Sequence, residues 1–257
     1  MTRIIAVSNQ KGGVAKTTTT QAMASILKQR GHKVLAIDFD PQGNLSDSIN
    51  AATDDNNINT IYEVLKEEAG AAESIQRLPA FDIISSDIVL ASADQTLLQT
   101  GKEYRLKEVI EPVKNKYDFI LIDTPPSLGI LTVNAFTAAN EIIVPTTAGK
   151  FAVKGIKELY NTVKNVRKYC NGNLKVSGIL FTKFDPRMNN SKDIKILVEK
   201  IGEALDIPIF KTFIRNRIAV DEAQLRSESI LNFKGCEDVI DDYNHFINEF
   251  LNLKARV

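Results

Sequence analysis

Residues 4–27 read IIAVSNQKGGVAKTTTTQAMASIL, an apolar run, a turn with two glycines and a helical pattern in succession. The run 3–8 is short, β-branched and apolar, which is typical of a buried strand, and residues 17–30 carry apolar side chains at helical spacing. In the turn between them, Gly12 and Gly13 let the backbone approach an anion without a Cβ in the way. A buried strand, such a turn and a helix N-terminus together predict a loop that holds phosphate groups.

This loop departs from the common pattern G-x-x-x-x-G-K-[ST]. Gln10 and Ala15 occupy its two glycine positions, and Lys11 adds a second lysine. A positive φ at Ala15 would cost about 1 kcal/mol, whereas a negative φ would cost nothing. Lys16 is expected to reach the β- and γ-phosphates, and the Thr17 hydroxyl to ligate Mg²⁺. The predicted nucleotide-binding residues of the loop are Lys11, Gly12, Gly13, Val14, Ala15, Lys16, Thr17 and Thr18.

Apolar strands alternate with helical patterns along the rest of the chain. Helices are predicted over 152–169 and 193–205, and further strands lie in KVLAIDFD (33–40), FDIISS (81–86), YDFILIDTPP (117–126), EIIVPTT (141–147), KVSGILFTKFD (175–185) and IPIFKTFI (207–214). This alternation predicts an α/β fold, with a mainly parallel, twisted sheet and helices on both faces. No linker or internal repeat divides the chain, so we expect a single domain over residues 1–257.

Carboxylates follow two of these strands, at the edge where parallel sheets bind ligands. Asp38 and Asp40 are two residues apart and therefore lie on the same side of the pleat, and Asp123 ends the apolar run FILI. All three are candidates for the Mg²⁺ shell, where they would act through water. Asp38 taken alone has a second interpretation, as a helix N-cap.

Bulk composition excludes several classes. The 257 residues are 44% hydrophobic, and only two cysteines, Cys170 and Cys236, occur at unrelated positions, which disfavours a disulfide framework or a zinc site. No apolar run is long enough to span a membrane, and a cytoplasmic protein is expected. Net charge is zero, yet residues 150–217 contain 15 Lys and Arg against 6 Asp and Glu. This excess is compatible with an anion-attracting face or with solvated helix surfaces.

Several blocks resemble one family. KGGVAKTT (11–18) is similar to the deviant Walker A motif of the ParA/MinD family of P-loop ATPases, normally KGGVGKTT, with only Ala15 departing. The resemblance continues in VLAIDFDPQGNLS (34–46), YDFILIDTPPSLGILTVNA (117–135) and IIVPTTAGKFAVKGI (142–156). LFTKFDPR (180–187) and RNRIAVDEA (215–223) match family blocks more loosely.

The resemblance implies an ATPase that uses ATP and Mg²⁺ and forms an ATP-dependent homodimer. Lys11 would reach across the dimer interface to the partner's phosphates, while Lys16 serves its own subunit. Asp40 would orient or deprotonate the attacking water, and Asp123 would be the Walker B acid. TKFD resembles the segment that contacts adenine in related ATPases, which makes Thr182, Lys183 and Pro208 candidates for the base pocket.

ParA-type members bind DNA without sequence preference through basic residues of the C-terminal half. The corresponding candidates are Arg187, Lys192, Lys195, Arg215, Arg217 and Arg226, of which Arg215 and Arg217 are the first choices. Each of them could instead form a helix cap or a surface ion pair. The resemblance further implies a nucleoid-associated protein that partitions a plasmid or chromosome with a ParB-like centromere-binding partner, which stimulates slow hydrolysis. A family member that positions a protein cargo is the alternative.

MinD-like relatives bind membranes through a C-terminal amphipathic helix. Residues 241–257 (DDYNHFINEFLNLKARV) are amphipathic, but their polar side is mainly acidic, and only Lys254 and Arg256 come late. A membrane-surface helix carries basic residues beside its apolar face. We therefore expect this helix to dock on the protein core, with no membrane partner. No helix-turn-helix or N-terminal regulatory domain is expected ahead of the first strand.

Overall fold

The computed structural model describes residues 2–53, 58–96 and 100–252. One seven-stranded sheet runs through this part of the chain, in the order β3-β4-β2-β5-β1-β6-β7. Every neighbouring pair is parallel except β3 and β4, which are antiparallel. The strands are β1 (Arg3–Val7), β2 (Val34–Asp38), β3 (Gln76–Arg77), β4 (Asp82–Ile84), β5 (Phe119–Asp123), β6 (Glu141–Thr146) and β7 (Lys175–Phe181). The predicted mainly parallel sheet is confirmed.

Helices connect the strands. The described helices are α1 (Lys16–Gln29), α2 (Asn44–Asp47), α3 (Ile61–Leu65), α4 (Ala93–Thr96), α5 (Arg105–Lys114), α6 (Ile130–Ala138), α7 (Ala152–Tyr169), α8 (Asn189–Leu205), α9 (Ile218–Leu225) and α10 (Glu237–Asn252). The helices predicted over 17–30, 152–169 and 193–205 correspond to α1, α7 and α8. Two short 3₁₀ segments, Ile88–Ser92 and Lys102–Tyr104, precede α4 and α5.

The sheet separates two hydrophobic cores. Successive side chains of a strand point to opposite faces, so in β1 Ile4 and Ala6 enter one core and Ile5 enters the other. Helices α5, α6 and α7 cover the first core, while α1 and α10 cover the second. Strands β1, β2, β5 and β6 are buried along their whole length, which explains why they are largely continuous apolar runs rather than alternating ones.

The strand predicted over 207–214 is wrong. The segment runs beside β7 and forms only isolated bridges, at Ile209 and Arg215. Between them the backbone N–H groups of Lys211 and Thr212 donate to the Glu249 carboxylate of α10, at 2.8 and 3.0 Å. Phe210 and Ile214 still donate their N–H groups to β7, so the side chain of Glu249 interrupts the pairing between these two bonds and the segment does not form a regular strand.

Helix α10 docks on the protein core, as expected. Tyr243, Phe246, Ile247 and Phe250 are all buried in the core that α1 shares. Its acidic side is also used inside the protein, because Asp242 and Glu249 bind the chain segment that precedes α9. Lys254 and Arg256 lie outside the described residues. None of the helices in the described ranges is long and apolar enough to cross a membrane.

Candidate functional site

The loop between β1 and α1 is anchored from below by one side chain. The Asn9 amide donates to the Pro145 carbonyl at 2.8 Å, and its oxygen accepts from the Lys11 backbone N–H at 3.0 Å. The loop then turns through left-handed conformations at Gly13 (φ 72°) and Ala15 (φ 62°). Ala15 directly precedes α1, so this residue carries the cost of about 1 kcal/mol that its Cβ incurs at positive φ. The loop shape is retained in spite of the missing glycine.

Lys16 and Thr17 place a cation and a hydroxyl beside Asp123. Lys16 is 7% exposed, and burial lowers the pKa of its ammonium, although the nearby charges of Asp123 and Asp40 oppose that shift. The Thr17 hydroxyl donates to Asp123 Oδ2 at 2.6 Å. Asp123 is fully buried, and this burial raises the pKa of its carboxyl. A divalent cation at this point would favour the ionised carboxylate.

The two acids after β2 have different roles. Asp38 Oδ2 accepts two hydrogen bonds from Ser46, from its N–H and from its hydroxyl, both at 2.8 Å. Asp38 Oδ1 accepts from the Asp40 backbone N–H at 3.3 Å. These bonds anchor the loop between β2 and α2, which is close to the alternative of a capping residue, and a water-mediated contact of Asp38 with Mg²⁺ stays a prediction. Burial raises the pKa of its carboxyl. Asp40 lines the cleft, and its Oδ1 accepts from the Gln42 N–H at 3.0 Å.

The Lys11 side chain extends toward the loop that follows β6. Its ammonium lies 3.3 Å from the Thr147 hydroxyl, and a Cβ built on Gly149 would come within 3.0 Å of Nζ. These contacts hold Lys11 against the loop that follows β6. Among the described residues no carboxylate pairs with it. Its positive charge is thus available to a ligand outside its own cleft.

A cleft of about 400 Å³ opens above the phosphate loop, a size typical of small-molecule sites. Gly12, Gly13, Ala15, Lys16 and Thr17 form its floor, and Pro126 lies on its wall. The predicted residues Thr18, Asp40 and Lys183 also line the cleft. Sequence reasoning missed eight other lining residues, which are Gln21, Gln42, Asn44, Asp47, Ser48, Gln224, Ser227 and Glu228. Gln42 and Asn44 stand inside a family block and could have been found, whereas α9 and the turn after it reach the cleft only through the tertiary fold.

The three candidates for the base pocket lie in different parts of the structure. Lys183 lines the cleft and pairs with Asp221 of α9 at 2.9 Å. Thr182 is buried, and its hydroxyl donates to the Val14 carbonyl, so it supports the phosphate loop from behind. Pro208 is exposed, and its carbonyl accepts from the Ile179 N–H in the middle of β7. The structure therefore brings Lys183 to the cleft and leaves Pro208 away from it.

The basic candidates for DNA contact differ in how firmly they are engaged. Arg215 binds Asp242 and Asp238 of α10, and Arg217 also pairs with Asp238. Arg187 pairs with Asp185 two residues earlier, but its side chain is 86% exposed.

The remaining three lie on or near helices. Lys195 faces Glu199 at 3.8 Å on α8, Lys192 is exposed on the same helix, and Arg226 stacks over the Phe233 ring. Arg187 and Lys192 are thus more accessible to a phosphate than Arg215, which α10 holds.

The donor set fits a nucleotide polyphosphate with Mg²⁺. Within the described ranges, no three His, Cys, Asp or Glu side chains form a cage for a metal. Mg²⁺ keeps several waters and takes few protein ligands beside substrate phosphates. The Thr17 hydroxyl and the Asp123 carboxylate, 2.6 Å apart, are suited to that role. The fold and this site together define a P-loop nucleotide-binding protein.

Comparison with known proteins narrows that class. The AAA domain family matches residues 2–176. The sporulation initiation inhibitor protein Soj of Bacillus subtilis is 35% identical over 94% of this chain and 96% of its own length. The chromosome partitioning protein ParA of Myxococcus xanthus is 34% identical, with 93% and 85% covered. The chain belongs to the ParA/Soj family of P-loop ATPases.

Solved structures agree with this assignment. Cobyrinic acid a,c-diamide synthase from Mycobacterium smegmatis, with bound ADP and magnesium, has a TM-score of 0.85 at 31% identity and covers 100% of this chain and 96% of its own. A putative plasmid partition protein of Borrelia burgdorferi bound to AMPPNP has a TM-score of 0.83 at 26% identity, with 98% and 99% covered. Both neighbours thus carry an adenine nucleotide on the same fold.

Proposed function

We propose that this ATPase binds ATP with Mg²⁺, dimerises around the nucleotide, and in that state binds DNA without sequence preference. With a ParB-like partner that stimulates slow hydrolysis, it would partition a plasmid or chromosome as a cytoplasmic, nucleoid-associated protein. The observation that carries the proposal is the position of Lys11, beside the phosphate loop but outside its own cleft. Two facing triphosphates need additional positive charge between them, and Lys11 can supply it.

The residues of the cleft have distinct tasks in this proposal. Lys16 is held nearly buried, where a cation neutralises phosphate charge most effectively. Thr17 and Asp123 are aligned to position Mg²⁺, which when bound would neutralise charge on the β- and γ-phosphates. Asp40 has one oxygen held by Gln42, and in the described residues its Oδ2 accepts no hydrogen bond. That oxygen is free to orient a water or accept its proton.

DNA binding is proposed from Arg187, Lys192, Lys195 and Arg226, with Arg215 and Arg217 contributing less because acids of α10 engage them. An exposed ion pair such as Arg187–Asp185 contributes little and exchanges readily for a phosphate. Two subunits double the number of phosphate contacts, so ATP-dependent dimerisation strengthens a weak interaction. Binding of this kind falls steeply with salt.

We favour a role in partition over the amide synthesis that the name of one structural neighbour implies. Relatives named Soj or ParA come from several organisms, among them Treponema pallidum and Caulobacter vibrioides, at 36% and 34% identity. The synthase name belongs to a structural neighbour at 31% identity. The larger share of the named relatives are therefore Soj or ParA proteins, and this supports partition as the role of this chain.

Sedimentation velocity with Mg²⁺ and a non-hydrolysable ATP analogue tests the dimer. The parent chain of 28.5 kDa should sediment as a dimer, whereas Lys11→Ala should remain a monomer that still binds the analogue. Lys164→Ala, which changes an exposed lysine of α7, serves as the matched control. A parent that stays monomeric, or a Lys11→Ala variant that dimerises like the parent, contradicts the proposal.

DNA binding is tested by fluorescence anisotropy with a random-sequence duplex at several salt concentrations. Arg187→Gln combined with Lys192→Gln should weaken the affinity of the ATP-bound dimer and reduce its salt dependence. Lys157→Gln combined with Lys164→Gln, both on α7, removes the same charge elsewhere. Equal affinity for parent and the first double variant would place the DNA contacts on another face.

A further inference from the structure

A second cavity, of about 310 Å³, lies at the opposite end of the sheet from the phosphate loop. Lys28, Lys33, Arg77 and Lys116 line it, together with His32, Val34, Asp82 and Tyr117. Lys33 precedes β2 and Lys116 precedes β5, so the cavity lies at the amino ends of these strands, while Asp38 and Asp123 end them. At about 3.3 Å per residue, a five-residue strand separates the two sites by roughly 16 Å.

The four cations of this cavity come from separate elements. Lys28 belongs to the last turn of α1 and Arg77 to the edge strand β3, while Lys33 and Lys116 precede β2 and β5. A charged edge strand is common protection against aggregation, but that explanation covers Arg77 alone. Lys28, Lys33 and Lys116 do not belong to an edge strand, so protection of a sheet edge does not explain why they lie around the same cavity.

The positive charge of the cavity is balanced only in part by the described residues, because the lining holds four cations and one carboxylate, Asp82. None of the four cations forms an ion pair with a described carboxylate, although the chain holds 32 acidic and 32 basic residues. Lys28 donates to the Leu78 carbonyl at 3.0 Å, which leaves two of its protons available.

The acids near the cavity are already engaged. Asp82, the carboxylate of the lining, accepts a hydrogen bond from the Tyr117 hydroxyl at 2.8 Å. Asp118, just outside the lining, accepts from the Lys33 backbone N–H at 2.8 Å. The four cations outnumber these two carboxylates, so part of the repulsion between the cations remains, and an anion with several charges would relieve it.

We propose that this cavity binds a small, multiply charged phosphate compound. Its volume is at the lower end of the range for small-molecule sites, and Lys33, Arg77 and Lys116 are exposed around it. Lysine ammonium groups and an arginine fork are the donors that bind phosphate oxygens. Helix α1 begins in the phosphate loop at Lys16 and reaches the cavity at Lys28, about 18 Å further on. The two anion sites therefore share one rigid element.

The probe for this site is inorganic tripolyphosphate, titrated by calorimetry without nucleotide or Mg²⁺. In a Lys16→Ala background, which weakens the phosphate loop, we expect one binding event. Arg77→Gln combined with Lys116→Gln should weaken it about tenfold or more. Lys157→Gln combined with Lys164→Gln removes the same charge from α7 and should leave the affinity unchanged.

A second titration avoids dependence on the folding of the Lys16→Ala variant. The chain with Lys16 intact should bind tripolyphosphate at two sites, and its Arg77→Gln/Lys116→Gln variant at one. The proposal is overturned if the cavity variant and the α7 control bind equally in both titrations, or if the Lys16→Ala protein binds nothing. The proposal is also overturned if the protein binds a short DNA duplex through Arg77 and Lys116 but does not bind tripolyphosphate. That result would assign these cations to contact with a nucleic-acid backbone.

Discussion

Replacing Arg215 by Met tests what holds α10 against the nucleotide-binding half of the protein. The Arg215 guanidinium donates to both oxygens of Asp242, each at 2.7 Å, and this hydrogen bonding raises the pKa of Arg215. The Asp242 side chain is only 10% exposed. Breaking a buried pair by removing one partner costs about 3–5 kcal/mol. Because the Arg215 side chain is 38% exposed, solvent screening reduces the expected loss to about 2–3 kcal/mol.

Urea unfolding followed by far-ultraviolet circular dichroism measures that loss. A destabilisation of this size should also lower Tm by roughly 5–10 °C in a chain of this length. Arg187→Met is the control, because its pair with Asp185 is exposed to solvent and should contribute little to the free energy of unfolding. The double variant Arg215→Met/Asp242→Asn should lose less than the sum of the single changes. An Arg215→Met protein within about 0.5 kcal/mol of the parent would refute this reasoning.

The pairing of Arg215 with Asp242 also affects how the DNA-binding surface can be mapped by mutation. Reversing Arg215 and Arg217 to Glu would place two carboxylates against Asp238 and Asp242. Repulsion between them would loosen α10, so a loss of DNA binding in that variant would not identify a DNA contact. Neutral changes at Arg187 and Lys192 avoid the difficulty.

Three further variants test individual groups. Asp40→Ala should bind ATP but release phosphate about 10²–10⁴-fold more slowly and accumulate dimer, and a parental turnover number would remove Asp40 from the mechanism. Ala15→Gly should relieve about 1 kcal/mol of backbone strain, partly offset by the entropy of glycine in the unfolded chain, so urea unfolding should show a small gain and not a loss above ~1 kcal/mol. Tyr243→Phe should lower the free energy of unfolding by about 1–2 kcal/mol, because the buried Thr19 hydroxyl, which lies 3.1 Å from the Tyr243 hydroxyl, loses that partner. An unchanged free energy of unfolding would contradict this.

Much of the fold and the floor of the site follow from local sequence. Residues 4–27 specify β1, the phosphate loop and α1 in one continuous stretch, because hydrophobic periodicity and glycine positions act over a few neighbouring residues. The same holds for the acids that end β2 and β5, since parallel strands bring their carboxyl ends to one edge. The docking of α10 also follows from its apolar stripe and its acidic polar side.

Contacts between distant residues were decided by the tertiary structure. Residues 207–214 are apolar enough for a strand, yet Glu249, nearly forty positions later, takes two of their N–H groups. Gln224 reaches the cleft and Arg215 reaches Asp242 only because α9 and α10 pack beside α1. The basic cavity likewise joins residues from four elements. Periodicity tells which face of an element is buried, but which polar groups then meet depends on how the elements pack in three dimensions.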